Sequence, residues 1–143
     1  MPNRLGILCC LWIVTTSAIA ETTPQRVEVS RDVWLSSYPS EREGNNGASP
    51  KLKLKSVQEF FLIDFDPAPL HGKRVTRAQL HLHGEGAETL GRITVSGISD
   101  EWVEGAGSSY AKVPGASSFL WARTGEARWG GDAPDITGVV LGQ

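Results

Sequence analysis

A chain of 143 residues, 21% of them charged and with a formal net charge of −2, has room for one respectable core and no more. It lacks the basic excess with which a protein displaces counterions from nucleic acid. Its cysteine count is two, and both lie within the first ten residues, which excludes a disulfide framework for everything that follows.

Residues 1–20 have the order of a secretory signal peptide. Arg4 supplies the positive start, residues 5–14 (LGILCCLWIV) the apolar centre, and Ala18-Ile19-Ala20 a small-residue cleavage site before Glu21. The apolar run is too short to span a bilayer. Leu8 precedes Cys9 and Cys9 precedes Cys10, which does not fit a lipid-modified cysteine with a small residue before it. The expectation is a secreted, extracellular or cell-surface protein with no membrane span after cleavage. Its mature part, residues 21–143, has no cysteine and must rest on its core, or on its core plus a bound ion.

The mature part reads as a string of strands. Residues 26–30 (RVEVS) and 32–37 (DVWLSS) carry β-branched and aromatic side chains. Residues 38–50 are a loop, with Asn46-Gly47 suited to a turn of positive φ. Residues 51–55 (KLKLK) alternate strictly, and residues 59–64 are nearly all apolar, as in a central strand. Asp66-Pro67-Ala68-Pro69 ends that run. In residues 75–83 Ala78, Leu80 and Leu82 share one face while Arg77, Gln79, His81 and His83 share the other. A turn over residues 84–91 leads to a further strand at 92–98 (RITVSGI). Residues 99–135 are rich in Gly, Ser and Trp and poor in period, a long loop with one short strand near 119–123. Residues 136–141 (ITGVVL) begin another strand. No segment has sustained helical periodicity, so the predicted class is all-β, an antiparallel sandwich. Strands so near the C-terminus point to a truncated first domain of a longer protein with further domains beyond.

The order of these pieces resembles the DNRLRE domains, which overlap family 96 of the carbohydrate-binding modules. Asp32-Val33-Trp34-Leu35, Pro39, Asn46-Gly47 and Leu52-Lys53-Leu54 carry the opening of the pattern. Phe61-Leu62-Ile63-Asp64-Phe65-Asp66, Ala78-Gln79-Leu80-His81-Leu82 and Glu101-Trp102-Val103-Glu104-Gly105 carry the rest. The likeness runs over residues 27–105. Ile63 departs from it, since a basic residue is common there, and the family's C-terminal strands are missing. The resemblance implies a jelly-roll-like β-sandwich, export, a place in large surface or polysaccharide-acting proteins, and a structural Ca²⁺. Asp64, Asp66, Asp100, Glu101 and Glu104 are acids open to such an ion. No D-x-D-x-D-G loop places it.

Lys51, Lys53 and Lys55 would project from one strand face about 6.5–7 Å apart, near the charge repeat of an extended polyuronate. The same lysines would also protect an edge strand from aggregation. His81 and His83, with Arg77, extend a basic face. An H-x-H pair can also bind metal, but zinc wants further ligands and His71 is the one other histidine. Trp34, Tyr110, Trp121 and Trp129 are possible sugar-stacking platforms, and equally core residues. Trp121 and Trp129 lie near Arg123 and Arg128 in a loop of the kind that carries function, whereas Trp102 reads as packing. No G-x-S-x-G, H-E-x-x-H, catalytic cysteine or phosphate-binding glycine loop is present. The expected function is therefore a non-catalytic carbohydrate-binding module for an acidic polysaccharide. Its contacts are Lys51, Lys53, Lys55, Arg77, His81, His83, Trp121, Arg123 and Trp129. The alternatives are a structural or adhesive module and an auxiliary domain of a polysaccharide-degrading enzyme.

Overall fold

Paired cross-strand residues organise the molecule. In the computed structural model, which describes residues 24–86 and 90–131, strand β1 (Val29–Ser36) runs antiparallel to β2 (Glu59–Phe65). Arg31 stands opposite Asp64, Trp34 opposite Phe61 and Ser36 opposite Glu59, with a bulge between Val29 and Arg31. The extra residue restores a register in which Arg31 can grip Asp64 across the ladder. A second, smaller sheet pairs β3 (Trp121–Arg123) with β4 (Ala127–Arg128). One 3-10 turn, Ala68–Leu70, follows β2. Among the described residues there is almost no helix, and the class is all-β with two small antiparallel sheets. No described helix is long and apolar enough to cross a membrane.

The core is built from alternate residues of β1 and from the long loop that follows. Val33 and Leu35 pack with Leu62, Trp102, Ala122 and Trp129, and Phe60 and Ile98 close over them. The other face of β1 is covered too. Trp34 meets Tyr110 edge-on at 5.2 Å between ring centroids, and the Ser36 hydroxyl donates to Glu41 Oε2 at 2.6 Å. The Gly/Ser/Trp-rich stretch is thus an ordered cover, not a loop standing off the sheet. It supplies half of the core cluster because its aromatic side chains bury large apolar area without needing a ladder.

Three expected strands are corrected. Residues 51–55 keep the alternation in burial, with the lysines exposed and Leu52 and Leu54 half-buried. Only Lys55 makes a bridge, to Glu59, around a tight turn in which Ser56 takes φ 49°. Residues 75–83 and 92–98 form no strand. Among the described residues, no main-chain group of residues 74–101 bonds to another main-chain group. Alternation survives as a burial pattern only in residues 51–55, since 75–83 and 92–97 are exposed throughout, and in none of the three does it say that the backbone has found a partner. The expected strand at 136–141 and the signal peptide lie outside the described residues.

Candidate functional site

Asn45 ties the molecule together. It is fully buried, and the chain brings it there by turning at Tyr38–Gly44, where the Glu41 and Arg42 N–H groups both donate to the Tyr38 carbonyl. Its Nδ2 donates to the carbonyls of Glu104 at 2.7 Å and Ser117 at 2.9 Å. Its Oδ1 accepts from the N–H of Gly107 at 2.8 Å and of Gly47 at 3.3 Å. Each hydrogen-bonding position of the amide is matched, as a buried side chain of this kind requires. Asn46, buried beside it, donates to the Trp34 carbonyl and accepts from the Tyr110 N–H at 2.9 Å. The expected turn is present, with the Ser49 N–H donating to the Asn46 carbonyl at 3.2 Å, but its positive φ is corrected. Gly47 does not have positive φ; it is small because a Cβ would overlap the carbonyl oxygens of Glu104 and Gly105.

The other motif residues meet at the same junction. Arg31 lies over the Trp102 ring, 4.2 Å from its centroid. It donates through Nε and Nη2 to Asp64 Oδ2 at 3.0 and 2.7 Å, and through Nη1 to the Trp102 carbonyl. The Asp64 carboxyl is held below its ordinary range, first by those Arg31 hydrogen bonds and then by the Phe65 N–H. Glu104 Oε1 accepts from the Asp32 N–H at 3.0 Å. Burial, and then the Glu104 charge, push the Asp32 carboxyl up. The D-x-W-L opening and the W-x-E-G signature are therefore two halves of one latch. Its residues hold the fold. Trp102 is buried in packing, 3% exposed.

The candidate binding residues fall into two groups. Lys51 pairs with Glu85, which sets the lysine segment beside residues 81–85. Leu54, Leu80 and Leu82 line one cleft. Arg77, His81 and His83 are exposed and make no hydrogen bond or ion pair among the described residues. Lys53 Nζ sits 4.3 Å from the Trp34 ring centroid and donates to the Tyr110 hydroxyl at 3.2 Å. That cation is already oriented by aromatic faces. The second group lies on the β3–β4 hairpin. Arg128 stacks on Trp121 at 3.6 Å from its centroid, and Arg123 pairs with Glu126 at 3.5 Å.

Trp129 is corrected. It is 1% exposed and its Nε1 donates to the Ser118 carbonyl at 2.9 Å, so it is a core residue and no stacking platform. Trp34, 3% exposed, is likewise internal. The acids named for a Ca²⁺ do not gather. Asp64 holds Arg31, Asp66 accepts from the Ala68 N–H, Asp100 from the Gly130 N–H and Glu104 from the Asp32 N–H. Among the described residues no three His, Cys, Asp or Glu side chains are grouped to hold a metal, and this donor set does not fit a six- to eight-oxygen cage. The latch residues Arg31, Asn45 and Ser117 were not singled out from the sequence. The one available signal was the order of the motifs they connect.

No protein-family profile, curated protein or solved structure matches the chain.

Proposed function

We propose that the chain is a non-catalytic module of an exported protein that holds an anionic polysaccharide on a basic edge. Its architecture is that of a jelly-roll-like sandwich of which the β1–β2 pair is the centre. The edge consists of Lys51, Lys53 and Lys55 with Arg77, His81 and His83. One observation carries the reading: the Lys51–Glu85 pair and the shared cleft of Leu54, Leu80 and Leu82 bring the two basic segments side by side. Leu54 is half-buried, Leu80 and Leu82 line the cleft while staying exposed, and the positions alternating with them include Lys53, Lys55, Arg77, His81 and His83. Lys53 adds a charge fixed at the rim of Tyr110, where a carboxylate could pair with the ammonium and a sugar face could meet the ring.

Exposed charge pairs contribute about 0.5–1 kcal/mol each. Three lysines together therefore account for roughly ten- to a hundredfold in affinity, and reversing them adds repulsion. The test is Lys51→Glu/Lys53→Glu/Lys55→Glu, titrated with an alginate oligomer and checked for folding by circular dichroism. Loss of at least tenfold in affinity with an unchanged spectrum supports the reading. Unchanged affinity in the folded variant refutes the basic edge.

A structural reading draws on a different feature. Val75, Leu80, Leu82, Leu90, Ile93 and Val95 are exposed apolar side chains on one stretch of chain, more than an isolated binding domain ordinarily leaves uncovered. A spacer or adhesive module would use that stretch as an interface and ignore glycans.

A further inference from the structure

Below the basic edge lies an apolar cleft of about 120 Å³, walled by Leu54, Phe61, Ile63, Leu80, Leu82 and Ile93. Its size is close to that of apolar cavities that stay dry and admit one small hydrocarbon. Two features of its surroundings call for a strand. Among the described residues β2 pairs as a strand only with β1, and past the single Lys55–Glu59 bridge its other edge has no strand partner. Segments 75–83 and 92–98 have strand-like sequences and main-chain groups without main-chain partners among the described residues. Exposed edges of this kind accept an added strand.

A third observation says which strand. The last described residues are linked to the cleft through two side chains that they share with it. Trp129 belongs to the cluster on which Phe60 and Ile98 pack, and both of those side chains also line the cleft. The Gly130 N–H donates to Asp100 Oδ2 at 2.8 Å, two residues beyond Ile98. From Gly131 the five steps to Ile136 reach up to about 17 Å in extended chain. They lead into residues 136–141 (ITGVVL). In a strand, Ile136 and Val140 would share one face and Val139 and Leu141 the other. A run apolar on both faces belongs inside a sheet, not at its surface.

We propose that residues 136–141 are the occupant of this cleft. They add as a strand beside the open segments and place an aliphatic side chain between Leu82 and Ile93. The inference does not depend on the polysaccharide reading, because it concerns the face beneath the lysines.

Hydrogen exchange on the mature chain, residues 21–143, tests it. Amides of residues 79–83 and 93–97 are expected to be protected at least tenfold over unstructured chain. Val139→Asp/Val140→Asp is expected to abolish that protection while β1 and β2 remain protected. Unprotected amides in the parent chain would overturn the proposal. So would protection that survives the double substitution, or that rises with protein concentration, since a second copy would then be the occupant. If the double variant unfolds altogether, the mature chain's lack of cysteine provides a second route. Leu82→Cys combined with Val139→Cys, or with Val140→Cys, is expected to form an intramolecular disulfide under mild oxidation in one of the two pairs. Failure of both to cross-link would refute the placement.

Discussion

Replacing Asn45 by alanine probes the junction on which the whole arrangement depends. The side chain is fully buried and makes four hydrogen bonds to main-chain groups from three separate stretches. Truncation leaves the carbonyls of Glu104 and Ser117 and the N–H of Gly107 without these partners. An unsatisfied buried group costs about 1–3 kcal/mol. Three such groups, partly relieved by water entering the vacated space, place the loss at roughly 3–5 kcal/mol. That is a large share of the ~5–15 kcal/mol by which domains are stable. At about 4 °C per kcal/mol for a domain of this size, Tm falls by roughly 12–20 °C. Urea unfolding followed by tryptophan fluorescence measures it directly, since Trp34, Trp102 and Trp129 are all buried. A loss below about 1 kcal/mol would refute the reasoning, because it lies under the cost of even one orphaned group. Asn45→Asp refines the test. The carboxylate keeps both acceptor roles but turns its second oxygen toward two carbonyls, so its folded pKa is raised. Stability is then expected to increase as pH falls through that raised value, and Asn45→Asp should be closer to the parent at pH 4 than at pH 7.

Two further substitutions test the latch. Gly47→Ala puts a Cβ about 2.5 Å from the Gly105 carbonyl oxygen and in overlap with that of Glu104, so unfolding should show a loss of roughly 1–3 kcal/mol or more. Wild-type stability in Gly47→Ala would mean that the two loops do not approach as described. Asp32→Asn removes a carboxylate whose pKa is raised by burial and then by Glu104. A raised folded pKa means that the charged form opposes folding at neutral pH and that the penalty fades as pH falls through it. Asp32→Asn is therefore expected to stabilise at pH 7 and to lose that advantage near pH 3.5. An equal effect at both pH values would contradict the assigned cause.

Much of the fold was legible in the residues themselves. The apolar run at 59–64 became β2 within a residue, and the aromatic, β-branched stretch after Val29 became β1. The short strand near 119–123 is β3, joined by a partner strand that its own hairpin turn creates. The pieces at 51–55, 75–83 and 92–98 were read from the sequence pattern of apolar and polar side chains alone. Hydrogen-bond pairing depends on a neighbour that local sequence does not name. The turn at Asn46-Gly47 is present but without the positive φ expected of it, for a related reason. Local turn chemistry and long-range packing both favour Asn and Gly, and here the packing prevails, with Asn45 and Asn46 tied to groups up to 72 residues away. Trp129 could not be told from a surface platform by composition, since only the partner of its indole N–H, the Ser118 carbonyl, reveals it as core. The basic residues were recognisable as candidates, but the contact that sets the two segments together, Lys51 with Glu85, joins positions whose separation carries no pattern.

The proposed function has an anionic chain held on the lysine edge. Isothermal titration of residues 21–143 with an alginate oligomer, at low and at high salt and beside a neutral oligosaccharide, tests it most directly. The account expects binding to the acidic oligomer alone, weakening steeply as salt screens exposed charges. Equal affinity for the neutral sugar, binding indifferent to salt, or a folded protein that takes up neither ligand would contradict it.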